Sequence, residues 1–220
     1  MLKVGVILSG CGVFDGTEIH EAVAALIALD RKGAEIIYMA PNGPAMHVIN
    51  HLSNETTGES RNILVESARI ARGNIRDLAE VKAADIDALV IPGGFGAAKN
   101  LCNFAVKGAD CVAHPQVARL IREVHRAGKP IGAMCIAPAL VARVLGRDVA
   151  HLELTIGNDP GTAKALEAMG AYHINKSVKE VHVDVKNRVV TTPAYMLGSR
   201  VSEIAAGADK LVEELLRLVS

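Results

Sequence analysis

The sequence predicts an α/β fold, a mostly parallel sheet sandwiched by helices, on three observations. Strand-like and helix-like segments alternate along the chain. The strand-like segments are continuously apolar rather than alternating, as strands buried on both faces are. Turn-forming glycines follow two of them, at Gly10-Cys11-Gly12 and Pro92-Gly93-Gly94, and ligands of such sheets bind outside the carboxyl ends of the strands.

The elements follow in order. Lys3–Ser9 reads as a buried strand, and Thr17–Lys32 as an amphipathic helix with Asp15 or Thr17 as N-cap and Gly33 as stop. Glu35–Ala40 is the second strand. Asn42–Asn62 is polar and rich in turn residues, which predicts a surface excursion, and Ile63–Ala71 looks helical. Ala88–Ile91 is a third strand; Pro115–Ala127 is a helix ended by Gly128. Ile131–Met134 is the fourth strand and Ala137–Leu145 the helix after it. Leu154–Ile156 is a short strand, and Thr162–Met169 a helix stopped by Gly170. Val181–Val185 and Val189–Thr192 form a hairpin turning at Lys186-Asn187, and Glu203–Leu218 is the closing helix. There is no internal repeat or linker, so residues 1–220 are expected to form a single domain.

Composition narrows the function. Half of the 220 residues are hydrophobic and 22% are charged, with Lys+Arg and Asp+Glu balanced at 24 each. That argues against nucleic acid and acidic membrane surfaces as partners. Aromatics at 3% argue against base-stacking platforms. No apolar run approaches the ~18–20 residues of a membrane span. The first strand begins at once, with no targeting segment ahead of it, and Cys11, Cys102, Cys111 and Cys135 form no Cys-x-x-Cys. A reducing cytoplasm is the expected location.

Cys135 is the most informative residue. It falls on the join between the strand Ile131–Met134 and the helix starting at Ala137, with small residues on both sides. Such a turn presents a nucleophile in α/β hydrolases. A helix N-terminus beneath it, with free N–H groups, favours a thiolate. The bland alternative is an inert buried cysteine. Two further segments converge on the same end of the sheet: Ser9–Glu21, where Glu18 and Glu21 share a helix face, and Ile91–Gly96, whose glycines let backbone approach a ligand.

Three motifs together, Ser9–Glu18 (SGCGVFDGTE), Ile91–Leu101 (IPGGFGAAKNL) and Ala133–Pro138 (AMCIAP), resemble the ElbB-like branch of the PfpI-like, class I glutamine-amidotransferase-like superfamily. The resemblance spans the whole chain and implies a flavodoxin-like, amidotransferase-like sheet with a nucleophile elbow. It implies Cys135 as nucleophile, Glu21 as the glutamate that hydrogen-bonds the sulfur, and the backbone N–H groups of Gly94 and Ile136 as oxyanion hole. Read from residues alone, Glu21 is preferred as an exposed helix carboxylate, and Glu18 as a first-turn partner of the helix dipole. The amidotransferases' late-strand His-Pro-Glu is replaced by Thr192-Pro193-Ala194, which argues against glutamine hydrolysis. His151, the nearest histidine downstream of Cys135, is a candidate pocket residue together with Glu18, although it precedes the Leu154–Ile156 strand instead of ending it.

The resemblance implies a glyoxalase-like activity, converting methylglyoxal or glyoxal to a 2-hydroxy acid without glutathione, metal or other cofactor, in a homodimer. Its alternatives are a redox-responsive or regulatory binding protein associated with isoprenoid biosynthesis, and a deglycase. Cys11 and Asp15 are placed at the predicted crevice, Cys11 as a second thiol or a small lining residue. His47 and His51 are spaced for a metal only if their segment is helical, and a solvated loop is the preferred reading. Gly10-x-Gly12 is half a dinucleotide fingerprint, but Asp15 stands where its third glycine would be, and it would repel a pyrophosphate.

Overall fold

The computed structural model describes residues 1–219. The chain runs β1 (Lys3–Ile7), α1 (Ile19–Arg31), β2 (Glu35–Ala40), β3 (Ile49–Asn50), β4 (Glu55–Thr56), α2 (Ile63–Ile70) and β5 (Arg76–Asp77). It continues with β6 (Ala88–Ile91), α3 (Phe95–Lys99), α4 (Phe104–Lys107), α5 (Pro115–Arg126), β7 (Ile131–Met134) and α6 (Ala137–Leu145). Then come β8 (Leu152–Leu154), α7 (Pro160–Ala168), β9 (Ala171–His173), β10 (His182–Asp184), β11 (Val189–Thr192) and α8 (Val201–Arg217). Seven strands form one sheet in the order β10-β11-β7-β6-β1-β2-β5. Every pairing is parallel except the β10–β11 hairpin at its edge. This is the predicted α/β sheet.

Both faces are covered, which is why the central strands are apolar throughout. Val4, Val6, Val90 and Val190 pack under α1 and α8, through Ala22, Ala25, Leu29, Ala208 and Leu211. Ile7, Leu89, Ile91 and Ile131 pack on the other face against α5 and α6, through Val117, Ile121, Leu140 and Val144. Each fully buried Val, Leu or Ile is worth about 1.5–3 kcal/mol, so the two layers hold the strand ends, and the site built on them, in fixed register.

The structure differs from the sequence reading at several places. The first helix starts two residues later, because Glu18 is its N-cap: the Glu18 carboxylate accepts the Glu21 N–H. The short strand after α6 lies at Leu152–Leu154 instead of Leu154–Ile156, because its register is set by β9, a partner outside the main sheet. The polar excursion carries the β3–β4 hairpin, and it is pinned down: Ile49 N–H donates to Asp15 Oδ2 at 2.7 Å and Met46 N–H to Asn100 Oδ1 at 2.9 Å. Short α3, α4 and β5 have too few residues to show a period.

Candidate active site

Cys135 sits between the last residue of β7 and Ile136, the N-cap of α6. Its backbone is left-handed, with φ 58°, a conformation that costs a non-glycine residue of order 1–3 kcal/mol. The surroundings enforce it: the Cys135 N–H donates to the Thr192 carbonyl at 3.0 Å, at the end of the neighbouring β11. The turn carries the thiol over the carboxyl end of the sheet, where only 8% of the residue is exposed. Its Sγ accepts the backbone N–H groups of Gly94 and Ile136.

Glu21 lies in the first turn of α1, fully buried. Its Oε2 accepts the Gly93 N–H at 2.8 Å and its Oε1 the Tyr195 N–H at 3.2 Å, and it hydrogen-bonds Cys135. The capping Glu18 is buried beside it and ties α1 to the β6 end, its own N–H donating to the Gly93 carbonyl at 3.0 Å. Burial, foremost, and the neighbouring Glu18 push the Glu21 carboxyl from its ordinary 4.5 to about 7, against the pull of the two N–H donors and Cys135. Holding Glu21 ionised therefore costs roughly 3 kcal/mol at ~1.4 kcal/mol per unit. Folding is free of that cost below about pH 4.5, and the corresponding stability is lost progressively as pH rises from there through about 7.

The sulfur behaves differently from what the sequence suggested. Burial, and then the Glu21 charge, drive the Cys135 thiol well up, and the Gly94 and Ile136 N–H groups only partly offset them. The expected resting thiolate is corrected to a thiol: desolvation in a nearly closed site outweighs a helix terminus. Above about pH 7 the Cys135–Glu21 pair therefore holds one proton, on the thiol, beside a carboxylate able to take it on attack.

Glycine is needed beneath this pair. A Cβ on Gly93 would lie 2.5 Å from Cys135 Cβ and 2.7 Å from Glu21 Oε2. Gly94, at φ 92°, packs directly on the Gly16–Glu18 backbone. The Pro92-Gly93-Gly94 turn is therefore a fit between two functional side chains as well as a turn.

Other sequence candidates are placed elsewhere. Cys11 and Asp15 line a separate narrow cavity under the excursion, with His47, Arg61 and Glu66, and not the crevice of Cys135. Burial raises the Cys11 thiol also. His47 and His51 are not on a helix; His51 stacks on Phe14 with ring centroids 4.9 Å apart and accepts the Phe14 N–H. His151 lies next to β8, 3.0 Å from Glu153 and stacked on Tyr172 at 4.1 Å. His182 lies on the edge strand β10 and shares Glu153, at 2.9 Å. Cys102 and Cys111 are buried, as packing residues would be, the Cys102 thiol donating to the Ala97 carbonyl at 3.3 Å and the Cys111 thiol to Met169 Sδ at 3.9 Å. Among the described residues no group of three or more His, Cys, Asp or Glu side chains could hold a metal ion, and no helix is long and apolar enough to cross a membrane.

A model of the DJ-1/PfpI family matches residues 11–193. The chain belongs to the DJ-1/PfpI family. A human relative, "Glutamine amidotransferase-like class 1 domain-containing protein 3, mitochondrial", is 52% identical over 98% of this chain and 83% of its own length. The rat "ES1 protein homolog, mitochondrial" is 50% identical over 98% of this chain and 84% of its own. An Ehrlichia chaffeensis crystal structure, described as an isoprenoid biosynthesis protein with an amidotransferase-like domain, superposes with TM-score 0.94 at 37% identity, over all of both chains. It has the same amidotransferase-like α/β architecture. The names of the human and rat relatives overturn the cytoplasmic expectation, which rested on where the first strand begins.

The segment Thr192-Pro193-Ala194-Tyr195 bends sharply, with Ala194 at φ 44°, and turns the Tyr195 N–H onto Glu21. The Tyr195 hydroxyl meets His20 Nδ1 at 2.8 Å. His20 and Tyr195 were missed in the sequence. Two signals point to them: His20 lies between Glu18 and Glu21 in one helical turn, and Tyr195 lies in the segment where the family resemblance places a catalytic element.

Proposed function

We propose that this chain is a glyoxalase-like enzyme that converts a small 2-oxoaldehyde such as methylglyoxal to a 2-hydroxy acid without glutathione, on the ElbB-like branch of the family. The observation that carries it is the buried Cys135–Glu21 pair beneath two convergent N–H groups. The thiol sulfur bonds to the aldehyde carbon while its proton passes to Glu21. The carbonyl pair moves to oxygen, which Gly94 and Ile136 N–H groups stabilise, and Glu21 returns the proton to give a hemithioacetal. Glu21 then takes the C1 hydrogen, an enediol forms, and a proton returns to C2. C1 is oxidised to a thioester as C2 is reduced to an alcohol. Water adds to the thioester carbon, the C–S bond breaks, and hydroxy acid and thiol are released. A carboxyl near 7 suits both directions of transfer. A thiol held protonated makes turnover slow against the typical ~10 s⁻¹.

A redox sensor is less well supported, because oxidation follows thiolate character and exposure, and Cys135 has little of either. A regulatory role near isoprenoid biosynthesis draws support from the description of the Ehrlichia relative. Deglycation would use the same thiol chemistry. The test is lactate formation from methylglyoxal without glutathione. Wild type is expected to be active, with both Cys135→Ala and Glu21→Gln lowered at least about 10³-fold in kcat. A wild type no faster than Cys135→Ala sinks the glyoxalase reading.

A further inference from the structure

The scheme above needs a proton for the ketone oxygen of the substrate while Glu21 is occupied with the C1 hydrogen. In that scheme the Gly94 and Ile136 N–H groups, which converge on Cys135, are taken up by the oxygen on C1, and His151 is committed to Glu153 beside β8. The late strand supplies no histidine. Two side chains at the rim supply the missing chemistry. Tyr195 is anchored to the pair by its own N–H on Glu21, at 3.2 Å. Its hydroxyl lies 2.8 Å from His20 Nδ1, and that nitrogen lies 3.8 Å from Glu18 Oε1. The His20 side chain is 54% exposed, whereas Glu18 and Glu21 are buried. A chain of polar groups therefore runs from solvent through His20 to Tyr195, the residue whose backbone holds Glu21.

We propose that Tyr195 and His20 are the acid–base pair that protonates the C2 oxygen, a role that rests on the glyoxalase reading. The Glu18 carboxylate favours an N–H on His20 Nδ1. That N–H donates to the Tyr195 oxygen and leaves the phenol hydrogen free for the substrate. As Glu21 removes the C1 hydrogen, its electron pair becomes the C1=C2 bond and the C2=O pair moves to oxygen. The Tyr195 hydrogen passes to that oxygen. The phenolate is refilled from His20 Nδ1 while His20 Nε2 takes a proton from water, and the hydroxide left behind is neutralised by the C1 hydroxyl proton that the enediol releases as the thioester forms. Burial and the nearby Glu18 and Glu21 charges push the Tyr195 phenol above its ordinary 10, so it stays a donor at neutral pH. The groups facing this pair are Glu18 and Glu21 from the start of α1.

Tyr195→Phe removes the hydroxyl while keeping the ring and the N–H on Glu21, and His20→Gln alters a largely exposed side chain. Both are compared with wild type for kcat and KM on methylglyoxal and for the alkylation rate of Cys135 by iodoacetamide, resolved by peptide mass spectrometry. The expected result for Tyr195→Phe is kcat lowered about 10²-fold, with KM and Cys135 alkylation within about twofold of wild type. His20→Gln should lower kcat in the same way by about tenfold. Wild-type kcat in both variants overturns the assignment. So does a loss of kcat accompanied by an equal change in Cys135 alkylation, which would mark a merely structural role. A wild type no faster than Cys135→Ala rejects the underlying reading, and this role with it.

Discussion

Two cysteines follow glycine-containing strand ends in this protein, and they are built for different things. Cys11 leaves β1 into a narrow cavity under the 42–62 segment, among Asp15, His47, Arg61 and Glu66. Cys135 leaves β7 onto the N-cap of α6. Burial raises both thiols, so burial does not separate them. The electrostatic company does. Charges act on Cys11 from a distance, Arg69 against Glu66 and Asp15. Cys135 has a buried carboxyl in hydrogen-bond contact and two amides aimed at its sulfur. A reactive centre here is a proton acceptor and an oxyanion site assembled around a thiol, not an acidic thiol by itself.

The largest break in that contrast comes from Gly93→Ala. The new methyl would press on Cys135 and Glu21 together, and misplacement of reacting groups by about 1 Å costs on the order of 10² in rate. We expect kcat/KM for methylglyoxal to fall at least about 10²-fold, with a stability loss of about 1–3 kcal/mol from overpacking. Near-native kcat/KM would mean that the pair does not need its present spacing.

A smaller effect sharpens the contrast through pH. The Glu21 carboxyl is raised to about 7, so its base form is present above that pH and is lost as pH falls through it. The kcat/KM profile should rise with an apparent value near 7 belonging to the pair, and fall about tenfold per unit below it. Glu21→Asp should shift that inflection. A flat profile from about pH 5 to about pH 9 would remove Glu21 from the chemistry.

Much of this was legible in the chain. β2, β6, β7 and α6 lie where their apolar runs and flanking turns put them. The motifs around Cys135, Glu21 and Gly93-Gly94 mark segments that meet at one sheet end. The electrostatics were not legible. Glu21 reads as one carboxylate on an amphipathic helix, and its burial depends on Gly93 and Tyr195, 72 and 174 residues away. The Glu18 cap was hidden because Ser, Thr, Asp and Asn are the common caps. β9 has three residues, too few for a period, so nothing in the sequence could move β8 into register with it.

The central claim is that aldehyde chemistry occurs on Cys135 and not on Cys11. The most direct measurement is peptide mass spectrometry of protein quenched during methylglyoxal turnover, on wild type, Cys135→Ala and Cys11→Ser. The account predicts a substrate-derived adduct on the Cys135 peptide in wild type and in Cys11→Ser, with lactate formation in Cys11→Ser within about twofold of wild type, as a distant substitution should give. An adduct confined to Cys11, or lactate formation that survives in Cys135→Ala, would contradict it.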